Sequence, residues 1–121
     1  MTKKIVVGGQ IDKQSIADLA LKLGGDSVSV DIKSDLDAAM AMKSGLYDYY
    51  IGACNTGGGG ALAMAMALLG PELCSTVSMP GNIKDESFII SEIENGKKAF
   101  GFTAQHAQHV VPILIREFIK Q

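Results

Sequence analysis

A stretch of 23 consecutive residues without a charged side chain, residues 49–71, is the strongest constraint on how this chain folds. A helix that spans a membrane needs about 20 continuous apolar residues. The longest apolar run in the stretch covers only residues 61–69, and a run of four glycines, residues 57–60, precedes it. This apolar run is too short to cross a bilayer, and no membrane association is expected.

Length and charge narrow the class of protein further. The chain has 121 residues, 47% of them apolar, with a formal net charge of −2. This length suits one domain, residues 1–121, that buries roughly two thirds of the surface of its unfolded chain. The slightly acidic balance, without a basic block, argues against a nucleic-acid partner. Cys54 and Cys74 give no disulfide framework, and residues 5–7 are too short an apolar run for a secretion signal, so a cytoplasmic location is expected.

The hydrophobic pattern alternates between short β-branched runs and longer stretches of helical periodicity. Strands are predicted over residues 5–7, 27–32, 47–53, 74–79 and 98–102, and Pro80 and Gly81 predict a turn. Helices are predicted to begin at Asp12, at Ser34 or Asp35, after the glycine run, at Asp85 and at Thr103. This alternation predicts a single three-layer, doubly wound α/β domain with a five-stranded parallel sheet, for which we expect the strand order 2-1-3-4-5.

Two glycine-rich loops are predicted to meet at one edge of that sheet. Ligands of doubly wound sheets bind beyond the carboxyl ends of the strands where the strand order reverses, here between the first and third strands. The residues that leave these strands are Gly8, Gly9 and Gln10, and then Cys54, Asn55, Thr56, Gly57, Gly58, Gly59 and Gly60. Converging backbone N–H groups and the positive end of the next helix predict a site for a phosphate, a carboxylate or an oxyanion. The alternative is a tight turn with close packing of helix on sheet.

Cys54 and two histidines are the side chains near this edge that could carry chemistry. Cys54 lies just before the start of a helix, where the thiolate is favoured, so it is a candidate nucleophile or general base, or else a small buried residue. His106 and His109 lie three apart on the final helix and are predicted to bind phosphate or to move protons, or else to be two solvated polar residues. No third ligand accompanies them, so neither a metal nor a cofactor is expected. Cys74 is predicted to lie in the core.

Residues 43–65 resemble the third strand and loop of ribose-5-phosphate isomerase B and the related galactose-6-phosphate isomerase subunits. In that family a strand runs into Cys-Gly-Thr-Gly-x-Gly, and Cys54, Thr56, Gly57 and Gly59 match it. The resemblance implies catalytic roles for Cys54 and Thr56, with the cysteine as the general base that moves a proton between adjacent carbons of a sugar phosphate.

The loop also departs from the isomerase pattern. Asn55 replaces a glycine, Ala65 replaces an asparagine, and the Asp-His pair of the family falls on Gln10 and Ile11. These departures imply that the cradle for the phosphate is kept while the groups that open the sugar ring are not.

Over its whole length the chain resembles the YhfU-type family of small bacterial proteins, a domain of unknown function. The segments that carry this resemblance are residues 48–57, 97–102 and 106–112. The family implies no activity.

The sequence predicts a protein that binds a small anionic, phosphorylated and sugar-like metabolite at residues 54–60, with isomerase-type proton transfer by Cys54 as the catalytic version. One alternative is a non-catalytic metabolite-binding or regulatory subunit. Another is a phosphocysteine carrier like the sugar phosphotransferase B subunits, although their cysteine follows the first strand. A homodimer is expected, because residues 61–69 are more apolar than one small core requires and the isomerases pair through this region.

Overall fold

The computed structural model describes residues 2–55 and 59–121. Its strands are β1 (Lys3–Gly9), β2 (Val28–Ile32), β3 (Tyr49–Cys54), β4 (Cys74–Thr76), β5 (Ser78–Met79), β6 (Asn82–Ile83) and β7 (Ala99–Thr103). Five of these strands, β2-β1-β3-β7-β4, form a parallel sheet, and β5 and β6 form a separate antiparallel hairpin. The predicted α/β fold with a five-stranded parallel sheet is confirmed.

Helices cover both faces of the sheet. They are α1 (Lys13–Gly24), α2 (Asp35–Lys43), α3 (Gly59–Leu69), α4 (Glu86–Glu94) and α5 (Ala107–Lys120). Buried residues of α1, α4 and α5 share one hydrophobic cluster with the sheet, and buried residues of α2 and α3 share the other. Within the described residues, no helix is both long and apolar enough to cross a membrane.

Two neighbouring tyrosines of β3 show how the sheet divides the core. Successive side chains of a strand point to opposite faces, so Tyr49 joins the cluster of α1, α4 and α5, and Tyr50 joins that of α2 and α3. Tyr49 stacks on Phe118 of α5, with the ring centroids 3.8 Å apart and the planes 4° from parallel. The central strand is therefore buried on both faces, which explains why its sequence lacks an alternation of polar and apolar residues.

The order of the last two strands differs from the predicted order. The fifth strand of the sheet along the chain, β7, pairs with β3, and the fourth, β4, lies at the edge and pairs with β7. Every residue of β7 is buried, as a central strand requires, whereas β4 has only three residues. Short edge strands are common because they limit pairing with other chains. The expected order 2-1-3-4-5 is therefore wrong at its last two positions, which are exchanged.

The strand predicted over residues 74–79 is also interrupted. It divides into β4 and β5, and β5 turns back into β6. The turn at Pro80 and Gly81 is confirmed, with Gly81 at a φ of +73°. Proline and glycine favour this geometry because proline fixes its φ and glycine accepts a positive one.

The predicted starts of α1, α2 and α4 agree with the structure, whereas α3 begins within the glycine run, at Gly59, and α5 begins at Ala107. Ser34 caps α2 by accepting a hydrogen bond from the Asp37 backbone N–H at 3.1 Å. Asp12 precedes α1 with a left-handed backbone and makes no side-chain cap. Thr103 does not cap the final helix either, because a 3₁₀ turn, Ala104–His106, separates it from α5.

The hydroxyl of Tyr50 joins three elements at the carboxyl edge of the sheet. Its oxygen accepts a hydrogen bond from the Gly9 N–H at 2.9 Å. It lies 2.6 Å from Asp35 Oδ1 in the first turn of α2 and 2.8 Å from the Ala61 carbonyl oxygen of α3. Burial, followed by the bond to Asp35, raises the pKa of Tyr50, so the hydroxyl keeps its proton and donates it. The ring also excludes a side chain at position 8, because a Cβ on Gly8 would lie 2.5 Å from Tyr50 Cε2.

Removing this hydroxyl should destabilise the protein. In a Tyr50→Phe variant the buried Gly9 N–H loses its partner, so we expect the free energy of unfolding in urea to fall by about 2 kcal/mol. Tyr47 is the matched control, since its hydroxyl also bonds to a carboxylate, Asp31 Oδ2 at 2.6 Å, but in an exposed setting. Tyr47→Phe should cost less than about 1 kcal/mol. Equal losses in the two variants would contradict a special role for Tyr50.

Candidate functional site

The end of β1 and the described ends of the second glycine-rich loop lie together at the carboxyl edge of the sheet, as predicted. β1 and β3 are neighbours, with Gly9 paired to Ala53, and the Gln10 N–H donates to the Ala53 carbonyl oxygen at 2.9 Å. The Gln10 side chain lies against the start of α3, where a Cβ on Gly60 would clash with its amide. The strand pairing therefore places the end of β1 beside the start of α3.

Packing accounts for the glycines at the end of β1. The ring of Tyr50 fills the space that a side chain on Gly8 would need. Gly9 has a φ of +77°, and a Cβ there would lie 2.6 Å from the Ala53 nitrogen. The alternative interpretation, close packing, thus explains both positions, and a role for Gly8, Gly9 and Gln10 in binding a ligand stays a prediction.

A cleft of about 250 Å³ opens at the same edge, above β3 and β7. The described residues that line it are Asn55, Pro80, Gly81, Thr103, Gln105 and His106. Three parts of the fold supply them: the exit of β3, the hairpin of β5 and β6, and the exit of β7. The observed strand order creates this arrangement, because it pairs the last residue of β3, Cys54, with the last residue of β7, Thr103.

A buried serine connects the hairpin to the exit of β7. The Oγ of Ser78, on β5, accepts a hydrogen bond from the Thr103 N–H at 2.9 Å and lies 3.0 Å from His106 Nδ1. Ser78 is completely buried. His106 lies at the predicted edge of the sheet and lines the cleft, and its Nδ1 is within hydrogen-bond distance of Ser78 Oγ.

The hydroxyl of Thr103 is buried without a hydrogen-bond partner among the described residues. Thr103 is only 3% exposed and lines the cleft. Buried hydroxyl groups without partners are rare in proteins and call for a specific explanation. The hydroxyl of Thr103 is therefore the least satisfied side-chain group in the described part of this edge.

The other predicted site residues have different positions. Cys54 is buried, 2% exposed, at the end of β3. Thr56, Gly57 and Gly58 lie outside the described residues. His109 is exposed on α5 and is not among the residues given for the cleft lining. Its predicted role in the ligand site stays a prediction.

Cys74 is buried in the cluster of α2 and α3, which confirms its place in the core. Burial raises the pKa of its thiol. It forms no disulfide with Cys54.

The cleft is polar but carries no charged side chain among its described lining residues. Its polar side chains are two amides, a hydroxyl and an imidazole, from Asn55, Gln105, Thr103 and His106. The first turn of α3 contains no acidic residue. The first N–H groups of a helix have no partner within it, and they give its start a partial positive charge. This edge can therefore attract an anion through backbone groups and bind neutral polar groups beside it.

Several lining or supporting residues were not predicted as part of the site: Pro80, Gly81, Thr103, Gln105 and Ser78. Ser78 and Thr103 look like ordinary parts of a strand and a helix cap. One usable signal is the composition of β7, because a strand with Phe100 and Phe102 is suited to the centre of a sheet. That position would have placed Thr103 beside Cys54.

The fold and the cleft define a doubly wound α/β protein with an uncharged polar cleft at the carboxyl edge of its sheet. The chain belongs to the family described as Protein of unknown function DUF2620, whose model matches residues 3–118.

Relatives named Uncharacterized protein YhfU, from Escherichia coli K12, Escherichia coli O6:H1 and Shigella flexneri, are each 41% identical to it over 113 residues. The match covers 93% of this chain and 96% of each relative. No solved structure matches the chain. The whole-length resemblance is confirmed, and the local resemblance to the isomerases stays a prediction.

Replacing Thr103 tests whether its hydroxyl has a partner. Thr103→Val removes a buried polar group that has no partner among the described residues, so we expect the free energy of unfolding to stay unchanged or to rise by up to about 1 kcal/mol. Ser78→Ala is the contrast in the same cluster. It leaves the Thr103 N–H and His106 without their partner and should cost about 1–3 kcal/mol. A comparable loss for both variants in urea denaturation would mean that the Thr103 hydroxyl is already paired.

Proposed function

We propose that this protein is a cytoplasmic metabolite-binding protein that takes a small phosphorylated, sugar-like ligand at the carboxyl edge of its sheet. The phosphate binds at residues 54–60 and the start of α3, and the remainder of the ligand lies in the adjoining cleft.

The start of α3 supports the phosphate position. α3 begins with Gly59 and Gly60, and its first turn contains no acidic residue that would repel an anion. Unpaired N–H groups at a helix start, together with the helix dipole, form an anion site of the kind used by many phosphate-binding proteins. Asn55 lies at the other side of this loop and lines the cleft, so a ligand can contact both places.

The observation that carries the proposal is the buried hydroxyl of Thr103, a cleft-lining residue, which has no hydrogen-bond partner within residues 2–55 and 59–121. A helix start alone is a feature of every helix, whereas a buried hydroxyl that lacks a partner among the described residues favours a bound polar group. The size of the cleft limits that group. Its volume of about 250 Å³ lies just below the range of roughly 300–1,000 Å³ that is usual for small-molecule sites, so the cleft suits a small ligand.

Proton transfer by Cys54 is the catalytic version of this proposal. The position of Cys54 at the end of β3, beside the ligand-binding edge, supports it. In the isomerases the Asp-His pair helps to open the sugar ring, and this chain has Gln10 and Ile11 in its place. The Gln10 side chain packs against α3 instead, which favours the non-catalytic version. The phosphocysteine carrier gains least support, since a carrier thiol must be reached by a donor and Cys54 is only 2% exposed.

A homodimer through α3 is part of the proposal. The exposed positions of α3 include Met64, at 37%, and Met66, at 39%, and the helix has no charged residue. A helix that is apolar on every side is typical of a buried element. A second copy of the chain would cover this face.

A charge placed in the cleft tests phosphate binding directly. Asn55→Asp adds a negative charge beside the proposed phosphate without changing the size of the side chain. We expect the affinity for ribose 5-phosphate, measured by calorimetry, to fall at least about tenfold. Asn95→Asp, at the far end of α4, makes the same change and should leave the affinity unaltered. Equal affinities in the two variants would place the ligand elsewhere, and no binding by the wild type would end the proposal.

Deuterium exchange separates the catalytic and non-catalytic versions. An isomerase exchanges the hydrogen on the carbon beside the carbonyl group of its substrate with solvent. If Cys54 is the base, aldose and ketose phosphates incubated in D₂O with the wild type should lose that proton signal in NMR spectra, and Cys54→Ala should abolish the loss. Cys74→Ala is the control. Binding without any exchange across the panel would select the regulatory or binding subunit.

A further inference from the structure

The buried hydroxyl of Ser78 determines which nitrogen of His106 carries a hydrogen. Ser78 Oγ has two polar neighbours: the Thr103 N–H at 2.9 Å and His106 Nδ1 at 3.0 Å. The Thr103 N–H is always a donor, so the serine oxygen accepts that bond. The hydrogen of the serine hydroxyl then needs an acceptor of its own.

Two arrangements of the Ser78–His106 bond are conceivable, and they differ in what they leave unpaired. If Nδ1 carries the hydrogen, Ser78 accepts two bonds and its own hydrogen has no acceptor among the described residues. Ser78 is completely buried, so water does not supply one. If Nδ1 is bare, the serine hydroxyl donates to it and every group in the cluster of Ser78, the Thr103 N–H and Nδ1 is satisfied. Proteins strongly prefer the second situation for buried polar groups.

We infer that Ser78 donates to Nδ1 and thereby holds neutral His106 with its hydrogen on Nε2, and that this Nε2–H donates a hydrogen bond to an oxygen of the ligand in the cleft. The second part rests on the proposed function. His106 lines the cleft, and Nε2 is the ring nitrogen that Ser78 does not engage. In a cleft without charged side chains among its described residues, a donor of fixed position selects a hydroxyl or carbonyl oxygen by geometry. Ser78 is a positioning residue, and His106 is the residue that contacts the ligand.

The tautomer can be measured without any ligand. The chain contains only two histidines, so a His109→Asn variant labelled with ¹⁵N gives the ring signals of His106 alone. In long-range ¹H–¹⁵N spectra recorded where the ring is neutral, we expect one tautomer, with Nε2 protonated and Nδ1 accepting a hydrogen bond. Ser78→Ala in the same background should convert it to the averaged mixture of an exposed histidine. A protonated Nδ1 in the starting protein, or spectra unchanged by Ser78→Ala, would overturn the inference.

The contact with ligand is tested by two replacements of His106. Glutamine places its amide near the position of Nε2, whereas asparagine places it near Nδ1. We expect His106→Asn to weaken ribose 5-phosphate binding about tenfold and His106→Gln to retain most of the affinity. Asn95→Asp, at the end of α4 and outside the proposed site, serves as the control and should bind like the wild type.

The outcomes separate this inference from the proposed function. Tight binding by the wild type that is unaffected in both His106 variants would overturn the contact while leaving the phosphate proposal intact. Failure of the wild type to bind any phosphate compound would overturn both the contact and the proposed function. The measured tautomer would still decide the role of Ser78.

Discussion

The buried hydroxyl of Tyr50 is the interaction on which the carboxyl edge of this sheet depends. It holds the end of β1 through the Gly9 N–H, reaches α2 through Asp35 and lies against the first turn of α3 at Ala61. Doubly wound sheets usually open at this point for a ligand, between the first and third strands. Here the tyrosine ring occupies the space above Gly8. The protein fills its own crevice there, and the cleft of the fold lies one strand further along, between β3 and β7.

The exchange of the last two strands has a direct consequence for the site. With β7 beside β3, the exits of two neighbouring strands lead to opposite faces of the sheet, toward α3 and toward α5. When the loops after two neighbouring strands lead to opposite faces of a sheet, they leave a crevice between them. The same geometry creates the usual ligand crevice between the first and third strands. Thr103 and His106 reach the edge beside Cys54 and Asn55 because of this exchange. In the order 2-1-3-4-5, another strand would separate them.

Local patterns in the sequence predicted the elements well and their arrangement less well. The periodicity of apolar residues located the strands and helices, because burial of one face imposes it. It did not distinguish the two orders, since the connections can be right-handed in both. The composition of the strands held the missing information: Ala99, Phe100 and Phe102 suit a strand buried on both faces, whereas Ser75 and Thr76 suit an edge.

Of the cleft-lining residues, the sequence predicted the positions only of those that directly follow a strand. Asn55 and His106 follow strands, so the edge rule of parallel sheets placed them correctly. Ser78 could not be recognised, because its function depends on a contact 28 residues away along the chain. The glycines were open to two interpretations, since a missing side chain equally permits close packing and close approach of a ligand. For Gly8 and Gly9 the structure supplies the packing partners, Tyr50 and Ala53.

The structure explains why residues 49–71 contain no charged side chain. The first part of this stretch is β3, buried on both faces, where an ionised side chain would be costly. Its last part is α3, whose buried residues pack on the opposite face of the sheet from α5. A protein with a net charge of −2 gains little long-range attraction for an anion, and the described lining of the proposed site adds no cation. Discrimination in such a site must come from hydrogen-bond donors and acceptors held in place, because mispaired buried polar groups carry the main cost of binding a wrong ligand. Ser78 and Tyr50 are the side chains that hold this geometry, and both are completely buried.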